Sequence, residues 1–149
     1  MSGVKVETKI HAPIERVWDT IMDPNRFGEW VTIHREVKNV SGDPRAKGAT
    51  MDQIMHMRGV TFRVHWTLVD VSPPNRAEWL GRGPAHSTAR IQYTLSADGD
   101  GATAFEYTNE FKTPGGRLGA LASGMIVGAA SDREAHNSLA RLKTLLERD

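Results

Sequence analysis

The chain has 149 residues, 19 basic and 18 acidic side chains, six histidines and no cysteine. That length suits one domain with a substantial core. A formal net charge of +1 provides no field to gather nucleic acid, and the lack of cysteine removes disulfides, thiolate metal sites and thiol nucleophiles.

Lys5, Glu7 and Lys9 interrupt the first ten residues, leaving no apolar signal-peptide core there. The longest uncharged stretch, 118–131, has 14 residues, and a spanning helix needs about 20. One cytoplasmic domain over residues 1–149 is expected, with no nucleic-acid partner and no stable membrane insertion.

Val4, Val6, Thr8 and Ile10 alternate with the charged residues between them, the period of a half-buried strand. Pro13 suits a first helical position, where a missing N–H costs nothing. Ile14, Val17, Trp18, Ile21 and Met22 then recur at helical spacing. Asp23-Pro24 is a second start signal, for a short helix through about Gly28.

Over 33–111 the period becomes two, and turn residues divide the segment into five or six strands. They are Gly42-Asp43-Pro44, Arg58-Gly59, Pro73-Pro74-Asn75, Gly81-Arg82-Gly83-Pro84 and Asp98-Gly99-Asp100-Gly101. Such short connections imply an antiparallel meander. After Pro114-Gly115-Gly116, the residues Leu118, Leu121, Met125, Ala135, Leu139, Leu142 and Leu146 fall on one helical stripe. A helix over 118–146 would be roughly 43 Å long, enough to lie across a small sheet.

This order resembles the helix-grip superfamily, which includes START lipid-transfer domains, the birch-pollen-allergen family and the bacterial polyketide cyclase/dehydrase family. The resemblance runs nearly end to end. It is carried by Ile10-x-Ala12-Pro13-x-x-x-Val17-Trp18, Asp23-Pro24, Trp30, Gly48, Trp66, Pro73-Pro74, Gly81-x-Gly83, Gly99-x-Gly101-x-Thr103 and the long C-terminal helix. The fold it implies is α+β: a curved antiparallel sheet of about seven strands around that helix, with two short helices after the first strand. It also implies a largely apolar cavity between sheet and helix, used in that superfamily for lipids, sterols, polyketides or hormone-like molecules.

Three features of the residues bear on that cavity. Met51, Met55 and Met57 alternate along one strand, and pliable methionines suit either a pocket of irregular shape or ordinary core. Trp18 belongs to the first helical face, Trp30 suits one end of a cavity, and Trp66 and Trp79 lie on successive strands. A buried indole N–H needs a partner, which a ligand could supply. The run 119–131 is rich in Gly, Ala and Ser, consistent with close packing, a cavity wall or a gate. The candidate ligand-binding residues are Trp30, Met55, Met57, Phe62, Trp66, Trp79, Tyr93, Tyr107, Leu121 and Met125.

Arg63, His65, Arg82, Tyr93, Tyr107 and Asn109 are the polar groups expected to reach a strand-lined pocket. Asp132 falls on the apolar helical stripe, where it would be either a perturbed acid or turned sideways to solvent. None of the histidines (His11, His34, His56, His65, His86 and His136) sits at metal-ligand spacing, so neither metal nor cofactor is expected, and catalytic residues stay unassigned. Pro114-Gly115-Gly116-Arg117-Leu118-Gly119 matches no phosphate-binding fingerprint.

The function expected first is a carrier or sensor of a small hydrophobic molecule. The alternatives are a polyketide cyclase, aromatase or dehydratase working in the same cavity, and a protein-docking module without ligand. Transient membrane contact stays open, as does monomer or homodimer, since the strand 4–10 could pair between subunits at an edge.

Overall fold

The computed structural model describes residues 2–57, 59–112 and 117–148, with residues 2 and 117–131 described by backbone alone. Strand β1 (Ser2–Ile10) leads into helix α1 (Ile14–Ile21), a 3₁₀ turn (Pro24–Arg26) and the short helix α2 (Phe27–Trp30). Then come β2 (His34–Ser41), β3 (Thr50–Met57), β4 (Val60–Ser72), β5 (Arg76–Arg82), β6 (Thr88–Ala97), β7 (Thr103–Lys112) and helix α3 (Arg117–Glu147).

All seven strands form one sheet in the order β1-β7-β6-β5-β4-β3-β2, antiparallel throughout. Consecutive strands from β2 to β7 are neighbours, as tight connections dictate, and β1 pairs with β7. With α3 gripped by the sheet, this is the helix-grip arrangement. Among the described residues, no helix is long and apolar enough to cross a membrane.

Local chemistry explains the first helices. In α1, Val17, Trp18 and Ile21 recur at three- and four-residue spacing and are buried together. Pro13 is the N-cap residue, one position before the helix it was expected to open. Asp23 caps the 3₁₀ turn by accepting from the Asn25 N–H at 3.0 Å. That turn runs directly into α2, so the single short helix expected there is two short pieces.

Ala135, Leu139, Leu142 and Leu146 bury one face of α3, together with Ser138. They join a core containing Ile10, Val17, Ile21, Leu68, Leu95 and Phe105. The last turns of α3 are tied to the end of β1: Lys143 Nζ donates to the Lys9 carbonyl at 2.6 Å, and the His11 N–H donates to Glu147 Oε2 at 2.8 Å. Asp132 stays off the apolar stripe and is exposed, with its carboxylate 3.7 Å from His136. The side chains of the small-residue run 118–131, Leu118, Leu121 and Met125 among them, and the glycine-rich turn 114–116 lie outside the described residues.

Two departures from simple alternation shape the concave face. A register shift between Leu68 and Asp70 brings Val71 onto the same inner face as its partner Ala77, where it packs against the core. Gly81 and Arg82, expected in a turn, lie inside β5, and the chain turns only at Gly83. The strand continues because Gly81 pairs with Trp66 on β4, and a Cβ at position 81 would stand 2.6 Å from the indole ring and 2.7 Å from Val64 Cγ1. The indole therefore lies flat in space that any other residue would fill.

Gly81→Ala is expected to lower stability by about 1–3 kcal/mol through overpacking. Urea unfolding would read this as a lower midpoint at constant slope, and an unchanged midpoint would mean that Trp66 is free to move aside.

Candidate functional site

Between the concave face and α3 lies a cavity of about 760 Å³, within the usual range of roughly 300–1,000 Å³ for small-molecule sites. Its walls follow the pleat: Met51, Gln53, Met55 and Met57 from β3; Val60, Phe62, Val64 and Trp66 from β4; Trp79 from β5. Ala89, Ile91 and Tyr93 come from β6, and Tyr107, Asn109 and Phe111 from β7. Phe27 and Trp30 of α2 contribute, and α3 adds Glu134, Ala135, Ser138 and Leu139.

Eight of the ten candidate residues thus share one cavity wall: Trp30, Met55, Met57, Phe62, Trp66, Trp79, Tyr93 and Tyr107. The side chains of the other two, Leu121 and Met125, lie outside the described residues. Trp18 is buried in the core and not in the wall.

The two ends of the cavity differ. One end is floored by a series of rings, running edge-on from His34 to Phe27 (5.7 Å between centroids) and to Trp30 (6.5 Å), and then at a tilt to Tyr93 (6.4 Å). Tyr93 in turn meets Phe105 at 5.6 Å and Tyr107 at 6.1 Å. At the other end Val60 is 59% exposed, and Pro84 and Ala85 of the β5–β6 connection are exposed as well. That end is the mouth. Ala85 (φ 56°) and His86 (φ 61°) both adopt left-handed backbone there, which non-glycine residues rarely do.

Gln53, which is not among the candidate residues above, organises the wall. Trp66 Nε1 can only donate, and it donates to Gln53 Oε1 at 2.9 Å. That fixes the amide, so Gln53 Nε2 faces His34 Nδ1 at 3.0 Å and donates to it. Burial holds the His34 pKa below the usual histidine range, with Glu36 partly opposing. A neutral ring accepting at Nδ1 carries its proton at Nε2. The indole N–H of Trp66 is therefore satisfied by the protein itself. Gln53 shares the parity of Met51, Met55 and Met57, which is the signal that marks it as interior.

Of the six expected pocket polars, Tyr93, Tyr107 and Asn109 line the cavity, and Arg63, His65 and Arg82 do not. Cross-strand register explains the correction. Asp52 pairs with His65, and His65 with Arg82, so all three share the outer face of the sheet. There Asp52 accepts from Asn39 Nδ2 at 2.8 Å and sits 2.6 Å from His65 Nδ1. Those two contacts, the Asn39 bond foremost, hold its carboxyl below the usual range.

Asn109 Nδ2 donates to the Tyr107 hydroxyl at 3.2 Å. Burial pushes the Tyr107 phenol up to about 12 and the Tyr93 phenol further still. Near α3, the Thr32 hydroxyl donates to Glu134 Oε2, and the Thr32 N–H donates to Ser138 Oγ at 3.1 Å. Among the described residues, no group of three His, Cys, Asp or Glu side chains is placed to hold a metal ion.

The polyketide cyclase / dehydrase and lipid transport family matches this sequence over residues 1–147. The chain belongs to that family. Among curated proteins, the Mycobacterium tuberculosis protein named toxin Rv0910 is 26% identical over 83 residues, covering 56% of this chain and 58% of its own length. The uncharacterized protein Rv1546 of the same organism is 21% identical over 95 residues, 64% of this chain and 66% of that protein.

Among solved structures, a START superfamily protein from Mycobacterium smegmatis superposes with a TM-score of 0.77 at 12% identity, covering 99% of both chains. A conserved protein from Geobacillus kaustophilus gives 0.76 at 17% identity, covering 99% of this chain and 96% of the other. At these identities the likeness establishes the fold of the family member described here.

Two measurements test the wall. Gln53→Leu leaves the Trp66 N–H and His34 Nδ1 without their partner and is expected to cost about 1–3 kcal/mol in chemical denaturation. The chain has two tyrosines, and both line the cavity, so tyrosinate absorbance reports the site alone. With folded pKa values above the unfolded value of about 10, little tyrosinate is expected at about pH 11 until the protein unfolds. The sign follows: both phenols support folding fully below the unfolded pKa, and that support fades as pH rises through the folded values. Tyrosinate appearing near pH 10 in folded protein would show the phenols to be solvated.

Proposed function

We propose that the protein binds a small hydrophobic molecule in the cavity between sheet and α3 and acts as its carrier or sensor, within one ligand-binding domain. The observation that carries this reading is the cavity of about 760 Å³ with walls built from Met, Trp, Phe and Val side chains. A ligand burying about 300 Å² of apolar surface gains roughly 7 kcal/mol there before the cost of association.

The polar groups of the wall suit holding a molecule better than converting it. Tyr93 and Tyr107 are kept protonated by burial, so they donate hydrogen bonds and do not serve as bases near neutrality. Glu134 is the one carboxylate among the described lining residues, and the Thr32 hydroxyl occupies it. Docking without a ligand finds less support. Among the described residues, the exposed large apolar side chains are Val40, Val60 and Leu80, which belong to three different strands.

Native mass spectrometry of gently purified protein, followed by denaturing extraction, is expected to reveal a stoichiometric hydrophobic companion. Ile91→Trp, which fills the wall, should fold and lose it. Apo mass alone, unchanged after exposure to a panel of lipids and polyketides, would count against this reading. Chemical conversion of a loaded polyketide would favour the cyclase instead.

A further inference from the structure

We propose that the mouth of the cavity docks on an anionic lipid bilayer, with Val60, Pro84 and Ala85 set into the headgroup layer and Arg63, Arg82 and Lys112 facing its phosphates. This rests on the binding function proposed above and adds the surface from which the ligand is exchanged. Two observations lead there, one of shape and one of charge.

Apolar side chains at the mouth face solvent as well as the cavity. Val60 opens β4, lines the cavity and is 59% exposed, more than any other large apolar side chain among the described residues. Pro84 and Ala85 line the same opening from the β5–β6 connection and are exposed. That connection is braced: the Gly83 N–H donates to the Ser87 carbonyl at 2.9 Å, and the Ser87 hydroxyl donates to the Pro84 carbonyl at 2.7 Å. The left-handed backbone of Ala85 and His86 completes the turn. A hydrophobic molecule leaving through this rim would enter water unless an apolar medium sealed the rim.

Cations flank the same opening. Arg82 pairs across the sheet with Thr88, and Thr88 with Lys112, so both cations stand on the outer face at the strand ends that border the mouth. Arg63 joins them, two residues before His65, the partner of Arg82. All three are exposed, and among the described residues none of them takes part in a hydrogen bond or an ion pair. The nearby acids have other neighbours. Asp52 is held by Asn39 and His65, Glu36 lies 3.6 Å from Lys38, and Glu110 stands opposite Arg90. Arg63 acts on this set only at longer range, where it helps to lower the Asp52 carboxyl. Positions 58 and 113–131, which follow β3 and β7 in the chain, hold two arginines and no acid, so they add only positive charge. At the opposite end of the strands the charges are mixed, as in the β2–β3 loop with Asp43, Arg45 and Lys47. A basic rim around an apolar opening suits a surface that is anionic outside and apolar within. An acidic protein would answer the charge alone.

The test is cosedimentation of the full chain with sucrose-loaded vesicles, made of phosphatidylcholine alone or with about 30% phosphatidylglycerol. Binding is expected on the anionic vesicles only, and it should fall at least about tenfold when salt rises from about 0.05 M to about 0.5 M. Arg63→Gln, Arg82→Gln and Lys112→Gln should each weaken it about fivefold. Lys47→Gln, which removes the same charge at the far end, should leave it unchanged. Val60→Asn should weaken it about three- to tenfold with its unfolding midpoint unchanged. No binding to anionic vesicles, or an equal loss in Lys47→Gln, would overturn the docking. Salt-sensitive binding that Val60→Asn leaves intact would mark the rim as a site for an acidic protein and overturn the bilayer. The neutral fluorescent probe N-phenyl-1-naphthylamine reports the cavity separately in solution, and its affinity should hold in Arg82→Gln and Lys112→Gln. Probe binding without vesicle binding would strike the docking alone, and vesicle binding without probe binding would strike the binding function.

Discussion

Lys143 and Glu147 fasten the last turns of α3 to the end of β1, through the Lys9 carbonyl and the His11 N–H. These bonds are modest alone, but Leu139, Leu142 and Leu146 are buried immediately beside them, so position and burial reinforce each other. Here the helix fills the concave face of the sheet with side chains. Further back along the helix, Glu134, Ala135, Ser138 and Leu139 stand at the edge of open space. Fixing one end of a long rod against a curved surface is what allows the rest of that surface to stay unfilled.

The open space persists because its walls are braced from within. The Trp66 indole is held from one side by Gln53 and lies over the missing side chain of Gly81. Gln53 in turn holds His34, which packs against Phe27 in the ring series that floors the cavity. A buried polar chain of this kind is costly if any member lacks its partner. Fully paired, it gives each ring one preferred place and opposes collapse of the wall.

Much of this was legible in the sequence, because period and parity survive folding. The alternation of Val60, Phe62, Val64, Trp66 and Leu68 is that of a strand face, and the alternating methionines of β3 lie beside it on the same face. What single-chain patterns lack is lateral register. His65 and Arg82 are opposite one another across two strands, and only the pairing shows that they share the outer face with Asp52. Gly81 read as a turn because glycine usually signals one; its use here is set by the ring of Trp66, fifteen positions earlier in the chain. Glu134 and Thr32 come together across 102 positions, a contact that spacing along the helix does not announce. Ser138, by contrast, sits between Ala135 and Leu139 at the spacing of the buried stripe.

The pleat also separates two kinds of information. Along β3 and β4, one set of alternate residues shapes the cavity, while the other carries the Asn39–Asp52–His65 contacts of the outer face. On β5, Glu78 likewise serves the outer face, bonding Arg76 and Gln92. A lineage can therefore rewrite the cavity one strand position at a time while the outer network keeps the sheet intact. Structures that superpose on this one with TM-scores of 0.76 and 0.77 share only 17% and 12% of its residues, so the architecture tolerates wide change in sequence. The fold behaves as a mould whose inner surface is replaceable, and its chemical identity is a property of that surface alone.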